Sequence, residues 1–489
     1  MLGMDKNTLL KLQIIEILDC LQTPITLKEL QMKIGHSSLG TIRMNCKELQ
    51  GIIYNLYFED GYSLNLRMNN GRGIQLERSS TNLQSLITYL YKSDLAFVIL
   101  QKVLAERKLS AIQFCMDQTI SESTLRRKIK EINQELAHYH LYISCSAQIS
   151  LKGREIDIRR FYYIFSRGLH HQFQQIEPVK DSEKYLRLAK EIANSLKILN
   201  NPTNIEMISF WLYITQQSLS KKAELSFNDA EKSWFKPYRF PKKPAYLKFF
   251  SLNEWKFFLY ALYCSHLNHF ELEPKDPEQK FYVDYPAKQW MTLFQQYFRP
   301  LNSEEQRFVT RKLKQLYVSY QFFKLDDHFL DGVSEKVDLK ATRNQYPYYY
   351  RRFHAFWEAF VKAVPEYDRR QLRLYSLLTC VALFPLENCL PRISVYAFSE
   401  LSELFSTFIQ EKIDLHFKNR YLLTFVEEPS QAQLIIGTSP SFKAFLSENQ
   451  ESAIIRSKIS ETDYLEIEAV LERIVKKDLE LPPEKSNLS

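Results

Sequence analysis

The sequence predicts a mostly α-helical, multidomain protein, with two winged helix-turn-helix domains first, two helical bundles next and a small α/β domain last. Three features carry this. Residues 110–152 read as short helix, tight turn, second helix and two alternating strands; aromatic-rich helical periods fill residues 155–390; and after Pro391 short apolar strands alternate with helices. Glycine is scarce, at 11 of 489 residues, which disfavours all-β folds, and neither G-x-G-x-x-G nor a Walker loop occurs. So long a chain exceeds one core and suggests about three to five domains. The 45% of hydrophobic residues gives each of them material to bury. The expected boundaries are 1–80 and 81–155 for the winged domains, 156–283 and 284–390 for the bundles, 391–481 for the α/β domain and 482–489 for a disordered tail.

In the first domain an amphipathic helix over residues 6–21 offers Leu9, Leu12, Ile14, Ile17 and Leu21 to a core. Thr26 and Glu29 form a capping-box signature ahead of a short helix to Ile34, and Gly35 and His36 make the turn. A further helix over 38–50 buries Leu39, Ile42, Cys46 and Leu49, and turns Thr41, Arg43, Met44 and Lys47 outward. Alternating segments at 52–58, 62–66 and 74–76 complete a wing. Ser38, Thr41, Arg43 and Lys47 are therefore a secondary set of DNA-contacting residues. The competing reading is that this domain only packs against its neighbour or positions it, because its outer face carries few charges and an apolar Met44. Residues 81–104 follow as a helical connection.

The second domain is the main DNA-binding candidate. In its second helix Leu125, Ile129, Ile132 and Leu136 recur at helical spacing, so one stripe faces a core. At about 100° per residue, Ser123, Arg127, Lys130 and Gln134 lie opposite, flanked by Thr124 and Arg126. Ser121 stands where an N-cap belongs, and the small polar residues beside it let a helix start approach a phosphate. Segments 141–144 and 148–151 form the wing. A helix fits the major groove, where Arg, Lys, Ser and Thr read base edges or hold phosphates. The bland alternative is an ordinary solvated face. The net charge of +8 is modest for this length, so the clustering of Arg126, Arg127, Lys128 and Lys130 says more than the total.

Helices are expected over 157–169, 181–199, 204–219 and 252–267, the last opened by Ser251 and Glu254. A polar, Pro-punctuated stretch, 271–286, then marks a boundary. A second set covers 287–298, 304–320 (capped by Ser303 with Gln306), 348–364 and 369–383. His170, His171, His266, His269, His328 and His354 have no metal-ligand or triad spacing, so neither catalysis nor a metal site is expected. The aromatic stripes Phe210, Trp211, Tyr213 and Phe257, Phe258, Tyr260 read as core. Seven scattered cysteines without C-x-x-C point to reduced thiols, and no apolar stretch is long enough to cross a bilayer. After Pro391, strands at 393–396, 421–426, 433–437 and 452–456 and helices at 400–416 and 462–476 give a parallel sheet, with Ser399 as an N-cap rather than a nucleophile.

Residues 120–136 (ISESTLRRKIKEINQEL), with the wing and its exit Ile149-Ser150-Leu151-Lys152-Gly153-Arg154-Glu155 and the order of parts across essentially the whole chain, resemble the Mga/AtxA family of virulence and global transcription regulators of Gram-positive bacteria. The resemblance implies a cytoplasmic, homodimeric transcription factor that binds double-stranded DNA. It implies no cofactor. The bundles would be similar to PRD domains, whose histidines are phosphorylated by phosphocarrier proteins of the sugar phosphotransferase system (PTS); His171, His266, His269 and His328 are the candidates. The last domain resembles an EIIB subunit. A functional EIIB carries a phosphorylatable cysteine just after its first strand, where this chain has Ala397, Phe398 and Ser399, so dimerisation or protein contact remains as its role. The alternative is a PRD-containing RNA-binding antiterminator. Such proteins begin with a strand-rich module, against which the helical N-terminus argues. An enzyme of the PTS fails on the missing cysteine.

Overall fold

The computed structural model describes residues 3–21, 23–58, 63–69, 73–79, 81–169, 181–265, 270–275, 277–325, 343, 345–440, 446–447 and 450–480. The chain forms two compact units, Met1–Gln279 with Val318–Phe329, and Lys280–Tyr317 with Leu330–Ser489.

The first unit opens with α1 (Lys6–Asp19), α2 (Leu27–Ile34) and α3 (Leu39–Tyr57), followed by a hairpin of β1 (Leu64–Asn69) and β2 (Gly73–Arg78) and by α4 (Gln84–Lys92). Thr26 and Glu29 form the expected capping box at α2. Helix α3 runs through the stretch 52–58, where a strand is expected. Leu49, Ile53 and Tyr57 are buried at successive steps of four, and that helical period outweighs the local β propensity. Leu39, expected in the core, is exposed in the first turn of α3. These elements close on a core of their own, from Leu10 to Leu90.

The same plan then repeats. Helix α5 (Leu95–Glu106) leads through β3 (Lys108–Ser110) into α6 (Ala111–Asp117), α7 (Glu122–Leu136) and the hairpin β4 (Tyr142–Cys145) and β5 (Gln148–Lys152). Strand β5 is central, antiparallel to both β3 and β4. Leu109 pairs with Ile149 as Ile25 pairs with Ile74 in the first winged unit.

Behind this second winged unit stand α8 (Glu155–Leu169), α9 (Ser182–Ser195), α10 (Pro202–Ser220), α11 (Asp229–Phe235), β6 (Tyr238–Arg239), α12 (Leu252–Cys264) and β7 (Glu273–Pro274). Every residue from Met207 to Thr215 is buried, as is every residue but Lys256 from Glu254 to Cys264, so α10 and α12 are surrounded on all sides. The aromatic stripes of these helices are core, as expected. One hydrophobic core extends from Ala96 through the wing residue Ile149 to Phe322 and Phe323.

In the second unit Pro286 lies inside α13 (Pro277–Tyr297), where an interruption is expected. Proline removes one helical hydrogen bond, and the packing of Trp290 and Phe294 further along keeps the helix continuous past it. Helix α14 (Ser303–Phe323), whose residues from Val318 on belong to the first unit, is opened by Asn302 and Glu305 rather than by Ser303 and Gln306, with Glu305 N to Asn302 Oδ1 at 2.9 Å and Asn302 N to Glu305 Oε2 at 3.0 Å. Helices α15 (Pro347–Ala363) and α16 (Arg370–Leu383) complete the bundle. Trp290 is wholly buried and donates to Ser376 Oγ at 2.7 Å.

The terminal α/β layer comprises β8 (Arg392–Phe398), α17 (Glu403–Phe417), β9 (Leu422–Phe425), β10 (Leu434–Gly437), β11 (Glu451–Ile454) and α18 (Glu461–Glu480). All four strands are parallel, in the order β11-β10-β8-β9. The N-cap of α17 is Ser402; Ser399, expected there, instead accepts the Leu401 amide. Tyr348 on α15 packs against this layer's core and donates to Asp478 at 2.6 Å.

Candidate nucleic-acid interface

Helix α7 is built to present one face. Leu125, Ile129, Ile132 and Leu136 are buried, and Ser123, Arg126, Arg127, Lys130 and Gln134 are exposed, as their spacing requires. Ser121 caps the helix by accepting the Thr124 amide at 3.1 Å, and its hydroxyl lies 2.8 Å from that of Ser123 and 2.9 Å from that of Thr124. This leaves a hydroxyl-rich helix start, a place suited to a phosphate oxygen. Arg126 donates to Cys145 O at 3.2 Å and lies 3.6 Å from Glu122, so it ties α7 to the wing. Among the described residues Arg127 and Lys130 make no ion pair.

Lys128, read from sequence as part of the basic cluster, is buried instead. Its ammonium donates to Asp5 at 2.7 Å, Glu131 at 2.6 Å and Gly3 O at 3.1 Å. Burial opposes its charge, but the hydrogen bonds to Asp5 and Glu131 outweigh that and hold its pKa above the ordinary lysine value. Gly3, at φ +73°, lies so close to Ile132 that a Cβ there would meet the Ile132 side chain at 2.9 Å. Asp5 N also donates to Asp94 at 2.9 Å. An N-terminal strap thus crosses the back of α7.

Helix α3 repeats the layout of α7 in register. Ser38 accepts the Thr41 amide at 3.1 Å with hydroxyls 2.9 Å apart, as Ser121 does with Thr124. Arg43 and Lys47, both exposed, stand where Arg126 and Lys130 stand, and Ile42, Cys46, Leu49 and Ile53 match the buried stripe. Each of the two helices also grips its wing through an amide at one equivalent position. Gln50 donates to Leu66 O at 2.8 Å; Asn133 donates to Ile143 O at 2.9 Å and accepts its amide at 2.6 Å. The two helices part on the outer face, where Gly40 and Gly51 occupy the places of Ser123 and Gln134, and at two central positions. Met44 occupies the place of Arg127, and buried Asn45, bonded to Thr41 O, that of Lys128.

Behind the second winged unit lies a buried ionic network. Arg107, the left-handed C-cap of α5, donates to Glu155 and to Ser218 of α10, both at 3.1 Å. Glu155 also accepts from Arg159 at 2.8 Å, and Arg159, fully buried, is paired through both terminal nitrogens with buried Glu254 of α12 at 2.5 and 3.0 Å. Arg154 grips Glu231 of α11 at 2.5 and 2.7 Å. Sequence reasoning missed Asp5, Gln50, Asn133 and this network. The matching places of Gln50 and Asn133 after the Ser caps were the one available signal.

His171, His266, His269 and His328 lie outside the described residues. His36 is a turn residue, its Nδ1 2.9 Å from Ile34 O, and His354 is exposed, its Nδ1 3.9 Å from Glu358. All seven cysteines are free, and burial pushes the Cys264 and Cys380 thiols well up. Among the described residues no cluster of three metal-binding side chains occurs, and no helix is long and apolar enough to cross a membrane.

Residues 79–165 match the family model of the Mga helix-turn-helix domain. No curated protein matches the chain.

Proposed function

We propose, on the premise of its Mga-type helix-turn-helix domain, that this protein is a DNA-binding transcription regulator whose α7 enters the major groove. The observation that carries the reading is the exposed pair Arg127 and Lys130 beside the hydroxyl-rich start of α7, with the wing held alongside by Asn133 and Arg126. Ser123, Thr124, Arg126, Arg127, Lys130 and Gln134 form the main contact set, and Ser38, Thr41, Arg43 and Lys47 the secondary one. The test is footprinting of the purified protein on genomic fragments at two salt concentrations. Protected sites whose occupancy falls steeply with salt are expected; uniform coverage at both salts would overturn specific regulation.

The regulator acts as a homodimer that addresses two half-sites, so the second site binds at high effective concentration. Helix α17 supports this. It buries Ile409, Ile413 and Phe417 against the sheet and leaves Leu404, Phe408 and Leu415 at 84%, 55% and 66% exposure. Leu404→Asp with Phe408→Asp should shift the full chain toward monomer in sedimentation velocity; an unchanged oligomer would place the contact elsewhere. Phosphorylation of a bundle histidine by PTS phosphocarriers is the proposed input, and His171, His266, His269 and His328 are its candidates. Incubation with phosphocarrier components should leave acid-labile label between residues 157 and 390, and absence of label would remove that input.

A further inference from the structure

We propose that Asn133 is a positioning residue for sequence discrimination, which sets the angle between α7 and its wing without itself touching DNA. This role rests on the DNA-binding reading of α7 and adds one residue that the reading needs.

Asn133 covers a sheet edge. Strand β4 lies at one side of the sheet β3-β5-β4, so one row of its backbone groups faces away from β5. Ile143 turns both of its groups to Asn133: its N–H donates to Oδ1 at 2.6 Å, and its carbonyl accepts from Nδ2 at 2.9 Å. The side-chain amide thus stands in for a neighbouring strand, with donor and acceptor both fixed.

A second tie follows two residues along the same edge, where Arg126 donates to Cys145 O at 3.2 Å. Residues 126, 130 and 133 share one face of α7, at steps of four and three. Lys130, one of the two exposed cations that carry the DNA reading, therefore stands between two ties to β4. The first winged unit repeats the device. Gln50, like Asn133 twelve residues after the capping serine, donates to Leu66 O at 2.8 Å. An amide is thus found at the same place in two units whose outer faces differ, which links it to holding the helix against the wing.

The wing tip itself is neutral. Ser146, Ala147 and Gln148 are exposed and uncharged, so the tip offers no cation to a phosphate or to a narrow minor groove. What the wing supplies is support. Attraction to phosphates comes from charge and tolerates a small rotation of the helix, whereas base contacts need geometry held within about 10–20°. Loss of Asn133 should cost discrimination and spare non-specific binding. The sheet should survive that loss, because Ile143, Ile149 and Leu151 belong to the core and β5 also pairs with β3.

The test measures binding of the full chain to two duplexes of equal length, the best-protected fragment from footprinting and a random sequence, by fluorescence anisotropy at two salt concentrations. Asn133→Leu, branched like asparagine but unable to hydrogen-bond, should lower the ratio of the two affinities about tenfold. Affinity for the random duplex and its salt slope should stay unchanged. Asn133→Gln, the amide that serves in α3, should recover most of the ratio, and Ser146→Ala with Gln148→Ala should leave it within about twofold of the wild type. A merely structural role would lower both affinities together, so equal losses on the two duplexes would overturn the assignment. An unchanged ratio in Asn133→Leu, or a tip variant that loses as much, would overturn it too. A wild-type chain that prefers neither duplex would instead overturn the DNA-binding premise, and this role with it.

Discussion

The two winged units of the first half share a scaffold and differ in what stands behind it. In each, a Ser-capped helix presents an arginine and a lysine at matching positions and holds its wing through one amide side chain. The first closes on a private core from Leu10 to Leu90. The second has no private core; Ile129, Ile149 and Leu151 belong to the cluster that also holds Trp211, Phe257 and Phe322 of the bundle. Arg107, Arg154 and Arg159 add ion pairs across the same junction. The difference teaches that a change in the first bundle acts on α7 through a shared core, whereas it reaches α3 through contacts between the two winged units, such as the strap and Tyr91 of α4 packed against the second core.

The harshest way to break this comparison is Glu254→Ala. It strands the fully buried Arg159 without its main partner, which should cost about 3–5 kcal/mol. Hydrogen exchange should then rise together in α7, α8 and α10 while α3 stays protected. A second winged unit that keeps its protection as the bundle opens would show that the shared core is not a cooperative unit.

A smaller effect separates α7 from α3. Arg127→Ala with Lys130→Ala should flatten the salt dependence of DNA binding by about one log unit of slope per lost phosphate contact, without loss of fold in circular dichroism. Arg43→Ala with Lys47→Ala should cost less, because Met44 leaves the first helix one cation poorer. Equal losses would overturn that ranking.

Lys128→Met sharpens the comparison at its smallest scale. It removes the tie between the strap and α7 and should raise exchange of residues 3–10 while costing about 1 kcal/mol or less, since Asp5 is half exposed and can be solvated. The folded pKa of Lys128 is raised above 10.5, so its contribution is complete below that pH and is lost only as pH rises through the higher folded value. Strap protection, corrected for intrinsic exchange, should therefore be the same at pH 7 and at pH 9.

Much of this was legible in the sequence because period and capping are local properties. The stripe Leu125, Ile129, Ile132 and Leu136, the caps Thr26 and Ser121, and the parallel sheet of the last strands follow from neighbours in the chain. What stayed hidden depends on distant partners. Lys128 reads as one more surface cation until Asp5 is known to lie against it. Arg159 carries no signal of its own, and Glu254 reads as the capping partner of Ser251, until α8 and α12 meet and the Glu254 carboxylate takes Arg159. The end of α3 misleads for a different reason: Ile52, Ile53 and Tyr54 favour strand locally, and only the burial of Ile53 and Tyr57 behind Leu49 makes them helical.

The shared core also decides where the chain can be cut at the bench. A fragment that stops shortly after the wing, inside or just before α8, would bare Ile149 and Leu151, and any piece of α8 it kept would carry Phe161, Phe165 and an unpaired Arg159 into water. Such a fragment is expected to collect in inclusion bodies when expressed alone. The first winged unit, cut after α4, takes its whole core with it and should be the piece that yields a soluble, isotope-labelled sample for solution spectroscopy.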